Sequence, residues 1–106
     1  MSKHISKVNL PEREGNYEII LYQNSQFLMN DGNILYFEYI IDENITTKKL
    51  TKHKLYIIKY EDGLTYIPND SQYICSYQDN AHIRYFVYED ISENPIVKFS
   101  KLFNFK

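Results

Sequence analysis

Residues 72–88 read QYICSYQDNAHIRYFVY and gather the single cysteine, a histidine, an arginine and five aromatic rings into one stretch. The pair Asp79-Asn80 in its middle tolerates the backbone angles that tight hairpin turns require. On either side, residues rich in aromatic and β-branched side chains are typical of strands. The stretch therefore predicts a β-hairpin, and the interpretation of the rest of the chain starts from it.

A two-residue loop at Asp79-Asn80 would fix which side chains share a face of this hairpin, because opposed residues lie on the same side. One face is expected to be core and carries Ile74, Ser76, Ile83, Tyr85 and Val87. The other carries Tyr73, Cys75, Tyr77, His82, Arg84, Phe86 and Tyr88. So many rings on a water-facing side are unusual, and this second face is the candidate binding site.

Length and composition indicate one domain over residues 1–106. A chain of 106 residues with 43% hydrophobic and 25% charged residues is ordinary for a globular domain. No apolar run approaches the length that a bilayer requires, so no membrane partner is expected. The one cysteine forbids an internal disulfide and, with no export signal behind Met1, favours a cytoplasmic setting.

The remaining chain contains further strand and turn signals. Tyr17–Tyr22, YEIILY, predicts a strand, and Asp31-Gly32 and Asp62-Gly63 predict hairpin turns, the second within residues 54–67. Residues 1–16 are interpreted as a loosely ordered arm, with a short strand at residues 5–10 as a possibility within it, and residues 42–53 as an exposed loop or ragged edge strand. The fold class predicted is all-β or β-rich α+β. It is an antiparallel meander of about seven strands, forming a small barrel or a two-layer sandwich.

The C-terminal segment changes its periodicity. Asn94-Pro95 resembles a helix start, and Ile96, Phe99 and Phe103 recur at helical spacing. A short helix over residues 94–104 is therefore predicted, and a last strand through Val97 and Phe99 is the alternative.

Catalytic chemistry has one candidate, the thiol of Cys75. In the predicted register Cys75 lies diagonal to His82 and opposite Arg84, and a neighbouring cation lowers a thiol pKa. The competing interpretation is that a lone cysteine in a strand is a small buried hydrophobe. The buried cysteine is the favoured interpretation. A small enzyme using Cys75 is the third functional hypothesis, after the two binding functions described below.

The residue spacing does not predict a metal site, a cofactor site or a phosphate-binding loop. The three histidines are far apart in sequence and no second cysteine accompanies Cys75, so neither a metal nor a cofactor is expected. The glycines are isolated, which disfavours a phosphate loop. Paired carboxylates fall at expected strand ends, where they are normally solvated.

Recognition of a partner is the favoured function. Tyrosine and arginine are enriched at protein interface hot spots, so Tyr73, Tyr77, His82, Arg84, Phe86 and Tyr88 are expected to bind a protein, and a homo-oligomer is one form of this. The alternative is single-stranded nucleic acid, held by Lys48, Lys49, Lys52 and Lys54 beside exposed rings. A net charge of -2 disfavours it.

The composition also carries an inference about source. Isoleucine, lysine, asparagine, tyrosine and phenylalanine make up 51 of the 106 residues, and these amino acids have AT-rich codons. A short product of such a genome favours a phage, virus or mobile element, in which a non-enzymatic inhibitor or accessory protein is the expected role.

Overall fold

The computed structural model describes residues 2–41, 49–61 and 65–92. They contain the strands β1 (Ser2–Asn9), β2 (Gly15–Tyr22), β3 (Gln26–Asp31), β4 (Ile34–Ile41), β5 (Leu50–Lys59), β6 (Ser71–Gln78) and β7 (Arg84–Asp90). The predicted β-rich fold is thereby confirmed. The helix predicted at residues 94–104 and the turn predicted at Asp62-Gly63 lie outside the described residues. Within the described ranges, no helix is long and apolar enough to cross a membrane.

The strands pair antiparallel in two sheets. One is three-stranded with the order β1-β4-β3, and the other is four-stranded with the order β2-β5-β7-β6. Among the described strands, β3 with β4 and β6 with β7 are the pairs that follow each other directly in the chain. The strand order therefore departs from a simple meander, since β1–β4, β2–β5 and β5–β7 join segments separated by other strands.

The core lies between the inward faces of the two sheets. Alternate residues of each strand point the same way, so a strand with one buried face contributes every second side chain to the core. The buried cluster combines residues of both sheets with Leu10 from the β1–β2 connection: Leu10, Leu21, Leu35, Phe37, Leu55, Ile57, Cys75, Tyr77, Tyr85 and Val87. Fully burying one such aliphatic side chain contributes about 1.5–3 kcal/mol to stability.

The expected N-terminal arm is instead an integral part of the fold. Ser2–Asn9 forms β1, an edge strand paired with β4 along its whole length. Leu10 is buried, and its amide donates a hydrogen bond to the carbonyl of Asn33 at 2.9 Å. The carbonyl of Pro11 accepts a hydrogen bond from the Tyr77 hydroxyl at 2.6 Å. The connection after β1 is therefore tied to both sheets. The short strand considered at residues 5–10 is present and begins earlier, at Ser2, whereas the loosely ordered arm does not describe residues 2–11.

The β3–β4 hairpin turns one residue later than predicted. Asp31 pairs with Ile34, so the two-residue loop is Gly32-Asn33, and Gly32 has a φ of 57°. The register shifts between Phe27 and Met29, which indicates a bulge. The predicted hairpin exists, but the turn and the bulge change which of its residues oppose each other.

Residues 49–67 are arranged differently from the prediction. Leu50–Lys59 forms β5, which lies between β2 and β7, so residues 50–53 belong to a central strand and not to a loop or edge. Thr65–Pro68 carries no strand, so the predicted hairpin over residues 54–67 does not form within the described residues. Residues 42–48 of the predicted loop lie outside them.

The β6–β7 hairpin is present, but its loop is longer than expected. Gln78 pairs with Arg84, which leaves the five residues Asp79–Ile83 as the loop. The carboxylate oxygen Oδ1 of Asp79 accepts hydrogen bonds from the amides of Ala81 (2.9 Å) and Ile83 (3.0 Å). Because Asp79 organises five residues instead of starting a two-residue turn, β7 is displaced by three residues relative to the predicted pairing, from Ala81 to Arg84.

This displacement exchanges the two faces of β6. A shift by an odd number of residues moves every side chain of a strand to the other side. Cys75 now opposes Val87 and Tyr77 opposes Tyr85, and all four are buried. A second register shift between Tyr73 and Cys75 returns Tyr73 to the outer face, opposite Tyr88.

Candidate functional site

The outer face of the four-stranded sheet carries a group of aromatic side chains. On β7, Tyr85 and Val87 point into the core, so Phe86 and Tyr88 point outwards. Ile58 opposes Phe86, and Tyr56 opposes Tyr88, on the neighbouring strand β5. We refer to these residues, together with Tyr60 after β5 and Tyr73 on β6, as the aromatic face: Tyr56, Ile58, Tyr60, Tyr73, Phe86 and Tyr88.

Four rings of the aromatic face form a continuous row. The ring centroids of Tyr60 and Phe86 lie 5.8 Å apart, those of Phe86 and Tyr73 6.4 Å, and those of Tyr73 and Tyr88 5.6 Å. The first and third of these contacts are edge-to-face and the second is tilted, and such aromatic contacts are favourable at these distances. Tyr60 and Tyr73 are each 49% exposed, so the row is both mutually supported and open to solvent.

Arg84 marks one end of the row. Its Nη1 donates a hydrogen bond to the Ser76 hydroxyl oxygen at 3.1 Å, and its backbone carbonyl accepts one from the amide of Tyr60 at 2.8 Å. Within the described residues, no carboxylate lies within ion-pair distance of the guanidinium. Arg84 therefore presents a positive charge beside the rings of Tyr60 and Phe86.

The opposite end of the row carries both a positive and a negative side chain, Lys54 and Asp90. The ammonium of Lys54 lies 5.5 Å from the ring centroid of Tyr56, whose hydroxyl donates to Asp90 at 3.1 Å. Hydrogen bonds from the side chain and amide of Ser92 are the main cause that lowers the pKa of Asp90. Desolvation, followed by the bond to Asp90, raises the pKa of Tyr56. Asp90 is therefore charged at neutral pH and offsets Lys54.

The residues predicted to bind a partner are divided by the structure. Tyr73, Arg84, Phe86 and Tyr88 lie together on the outer face of the four-stranded sheet. His82 lies in the exposed Asp79–Ile83 loop, with a φ of 65°. Tyr77 is 2% exposed, so the prediction that it lies on the outer face was wrong, and it cannot contact a partner.

Three members of the aromatic face were missed at the sequence level. Tyr56 and Ile58 alternate with the buried Leu55 and Ile57 along β5, and Tyr60 continues this alternation just after the strand. It could have identified a half-exposed strand with an aromatic outer side. The pairing of β5 with β7, which places these residues beside Phe86, has no local signal.

The predicted lysine cluster lies partly beside the aromatic face. Lys52 and Lys54 alternate with the inward-pointing His53 and Leu55, so they lie on the outer side of β5 in line with Tyr56. Lys52 forms an ion pair with Glu18 at 3.7 Å. Lys49 is exposed before β5, and Lys48 lies outside the described residues.

Cys75 is a core residue. Its side chain opposes Val87 and is 4% exposed, and burial raises the pKa of the thiol to about 11. The predicted diagonal arrangement of Cys75 and His82 across paired strands does not occur, because His82 is a loop residue. The expectation that Cys75 shares the outer face was therefore wrong.

A chain of polar side chains not anticipated from the sequence lies on the inner side of the four-stranded sheet. Nδ1 of His53 donates to Oε2 of Glu89 at 2.7 Å, and Nε2 of His53 lies 2.8 Å from the hydroxyl of Thr51. The Thr51 hydroxyl also lies 3.3 Å from the carbonyl of Leu21. These contacts connect β2, β5 and β7 through side chains, in addition to the backbone pairing.

Comparison with known proteins provides no assignment. No protein-family model, no curated protein and no solved structure matches this chain.

Proposed function

We propose that this chain is a non-enzymatic binding protein, an inhibitor or accessory protein, that recognises another protein through its aromatic face. The observation that carries the proposal is the row of four rings with Arg84 at its end, an arginine that forms no ion pair with any described carboxylate. Tyrosine and arginine are enriched among interface hot spots, and phenylalanine is enriched at protein interfaces in general. The composition and the single cysteine support an intracellular setting and a phage, virus or mobile-element source as parts of the same proposal.

The geometry of the row favours binding with little loss of conformational freedom. Each ring already contacts its neighbour, so few rotamers remain to be fixed when a partner docks. The strands beneath are central or hairpin strands with buried inner faces, which gives the rings a stable base. Rigid rings on a rigid sheet are the arrangement in which buried area is converted most efficiently into affinity.

Affinity capture with matched variants tests this proposal. Partners retained by the parent chain are purified, and their affinity is measured against Tyr73→Ala and Arg84→Ala. Each change should weaken binding by about 1–4 kcal/mol. Ile5→Ala and Lys7→Ala, on the exposed side of β1 in the other sheet, are the matched controls and should leave affinity unchanged. Partners that bind all four variants equally would contradict the proposal.

Self-association through the same face is a form of this proposal. It is tested by measuring molar mass in solution at increasing protein concentration for the parent and for Tyr73→Ala. A dimer that weakens in the variant identifies a second copy as the partner. A monomer at all concentrations directs the search to other proteins.

Single-stranded nucleic acid is the second candidate, because Lys52 and Lys54 line up with Tyr56 on the outer side of β5. Aromatic rings beside cations are the usual means of binding unpaired bases. It ranks second because Glu18 pairs with Lys52, Asp90 lies near Lys54, and the net charge is -2. Retention on immobilised oligo(dT) that falls steeply with salt, and that Lys52→Ala and Lys54→Ala weaken, would reverse this order.

A further inference from the structure

Beside the row of rings, the surface forms an open depression of about 590 Å³. Its lining includes Lys59, Tyr60, Gln78, His82, Arg84 and Phe86. We refer to it as the Arg84 depression. The described residues of the lining include two permanent cations, Lys59 and Arg84, and the rings of Tyr60 and Phe86, and none of these described residues carries a carboxylate. A site of this composition is complementary to an anionic group attached to an apolar one.

The guanidinium of Arg84 is positioned but not neutralised. The Ser76 hydroxyl holds Nη1 at 3.1 Å, and the pairing of Arg84 with Gln78 fixes its backbone. A guanidinium has five N–H donors in a planar fork that matches the two oxygens of a carboxylate. The donors that Ser76 does not occupy are therefore available to an incoming carboxylate, and the rings of Tyr60 and Phe86 line the same depression.

The neighbouring carboxylates are engaged elsewhere. Asp79 accepts the amides of Ala81 and Ile83 through Oδ1 and the Tyr85 hydroxyl through Oδ2 at 3.2 Å. Glu61 lies 3.9 Å from Lys59, a long contact between exposed groups that contributes little. Within the residues that the structure describes, no carboxylate therefore serves as a counter-ion for Arg84, and a carboxylate of a partner would fill this role.

We infer that the Arg84 depression binds an acidic side chain of a partner protein that lies next to an aromatic or aliphatic residue. The inference rests on the proposed function, because it names the chemistry of the partner segment that the aromatic face recognises. A carboxylate bound by Arg84 leaves room for an apolar neighbour against Phe86 and Tyr60. A partner segment with this pattern satisfies both the charge and the rings of the depression.

Selection from a displayed library of short random peptides on the immobilised parent protein tests the inference. Enriched peptides should contain aspartate or glutamate next to an apolar residue. Synthetic versions are then titrated by fluorescence anisotropy. Replacing the acidic residue with its amide should weaken binding at least about tenfold, and Arg84→Ala should do the same. Arg84→Lys should recover only part of the affinity, because an ammonium lacks the planar fork.

The outcomes separate this inference from the proposed function. Peptides without a carboxylate that lose affinity in Tyr73→Ala, but not in Arg84→Ala, would overturn the inference and leave the proposed function standing. Peptides that bind both variants as well as the parent would overturn both. A selection that enriches nothing, or peptides that oligo(dT) displaces in an Arg84-dependent manner, would also count against the inference. Circular dichroism and melting curves confirm that each variant is folded.

Discussion

The rings of Tyr77 and Tyr85 stack in the core with their centroids 5.5 Å apart, directly opposite each other on β6 and β7. The Tyr77 hydroxyl donates to the carbonyl of Pro11, and the Tyr85 hydroxyl lies within hydrogen-bond distance of two acceptors, the carbonyl of Glu12 at 3.0 Å and Oδ2 of Asp79 at 3.2 Å. Two tyrosines of the hairpin are therefore structural, and their polar ends anchor the connection between β1 and β2.

Replacing Tyr77 tests this placement. Tyr77→Ala should lower the free energy of unfolding by about 3–5 kcal/mol, the usual cost of removing a buried ring, and Tyr77→Phe by about 1 kcal/mol for the lost hydrogen bond. Tyr73→Ala, on the exposed side of the same strand, is the matched control and should cost less than about 1 kcal/mol. Urea denaturation measures all three, and equal losses at Tyr77 and Tyr73 would contradict the observed register.

The part of the site that sequence could predict is the part that depends on one strand alone. On β7, alternation places Tyr85 and Val87 inside and Arg84, Phe86 and Tyr88 outside, whatever the register. These positions on β7 are local properties, and they were predicted as the structure has them. The expected number of about seven strands agrees with the seven described strands, but their identity does not, because β1 was interpreted as part of an arm and residues 65–68 form no strand.

The face that β6 presents could not be predicted, because it depends on the length of a loop. Asp79-Asn80 is compatible with a two-residue turn. The loop is longer because the Asp79 carboxylate accepts hydrogen bonds from the amides of Ala81 and Ile83. The longer loop displaces the register of β6 and β7 by an odd number of residues, so Cys75 and Tyr77 point into the core. The addition of Tyr56 and Tyr60 to the site depends on long-range pairing of β5 with β7, which no local pattern encodes.

Gly32 supplies a backbone conformation that other residues resist. Its φ of 57° lies in the left-handed region, and no described residue other than its two chain neighbours has an atom within 4 Å of where a Cβ would be, so strain and not crowding decides the outcome. Gly32→Val should destabilise the protein by about 1–2 kcal/mol. Gly32→Asn is the matched control and should cost less, because asparagine tolerates this region. Denaturant midpoints that are equal for the parent and both variants would contradict the turn at Gly32-Asn33.

Asp79 should make stability depend on acid pH. Hydrogen bonds from the Ile83 amide first, then from the Ala81 amide and the Tyr85 hydroxyl, lower the pKa of its carboxyl in the folded state. A folded pKa below the unfolded one stabilises the protein above the unfolded value, near pH 4, and this contribution is lost as the pH falls through the folded value. The difference in melting temperature between the parent and Asp79→Ala should therefore shrink below about pH 4.

The control for Asp79 is Asp31→Ala, which removes an exposed aspartate at the β3–β4 turn. Its melting temperature should differ little from that of the parent at any pH. Comparing each variant with the parent at the same pH also removes the contribution of Asp90, whose pKa is lowered as well. A difference for Asp79→Ala that stays constant from neutral to acid pH would show that the carboxylate does not organise the loop.

Cys75 should react slowly with thiol reagents in the folded protein. Burial raises its pKa to about 11, so at neutral pH the thiolate is about two orders of magnitude rarer than for an ordinary cysteine. The 4% exposure slows access further. Labelling with a disulfide reagent near pH 7 should become fast only when urea unfolds the chain. Rapid labelling under native conditions would restore the nucleophile hypothesis for Cys75.

The side-chain hydrogen bonds that link Thr51, His53 and Glu89 should contribute to stability, because these side chains are partly buried. His53 and Glu89 side chains are 24% and 23% exposed, and Nδ1 of His53 donates to the Glu89 carboxylate at 2.7 Å. His53→Ala removes the hydrogen-bond donor of this partly buried carboxylate, which should lower the free energy of unfolding by about 1–3 kcal/mol. Thr51→Val keeps the side-chain shape but removes the hydroxyl, and should cost about 1 kcal/mol.

A double-mutant cycle isolates the interaction between His53 and Glu89. His53→Ala and Glu89→Gln, singly and together, should show a coupling energy of about 1–2 kcal/mol, because the two side chains are in direct contact. His4→Ala is the matched control, since His4 is an exposed histidine on edge strand β1, and it should cost less than about 0.5 kcal/mol. Guanidinium denaturation provides all of these values. If His53→Ala costs no more than His4→Ala, the chain from Thr51 to Glu89 does not hold β2, β5 and β7 together, and backbone pairing alone accounts for the order of these strands.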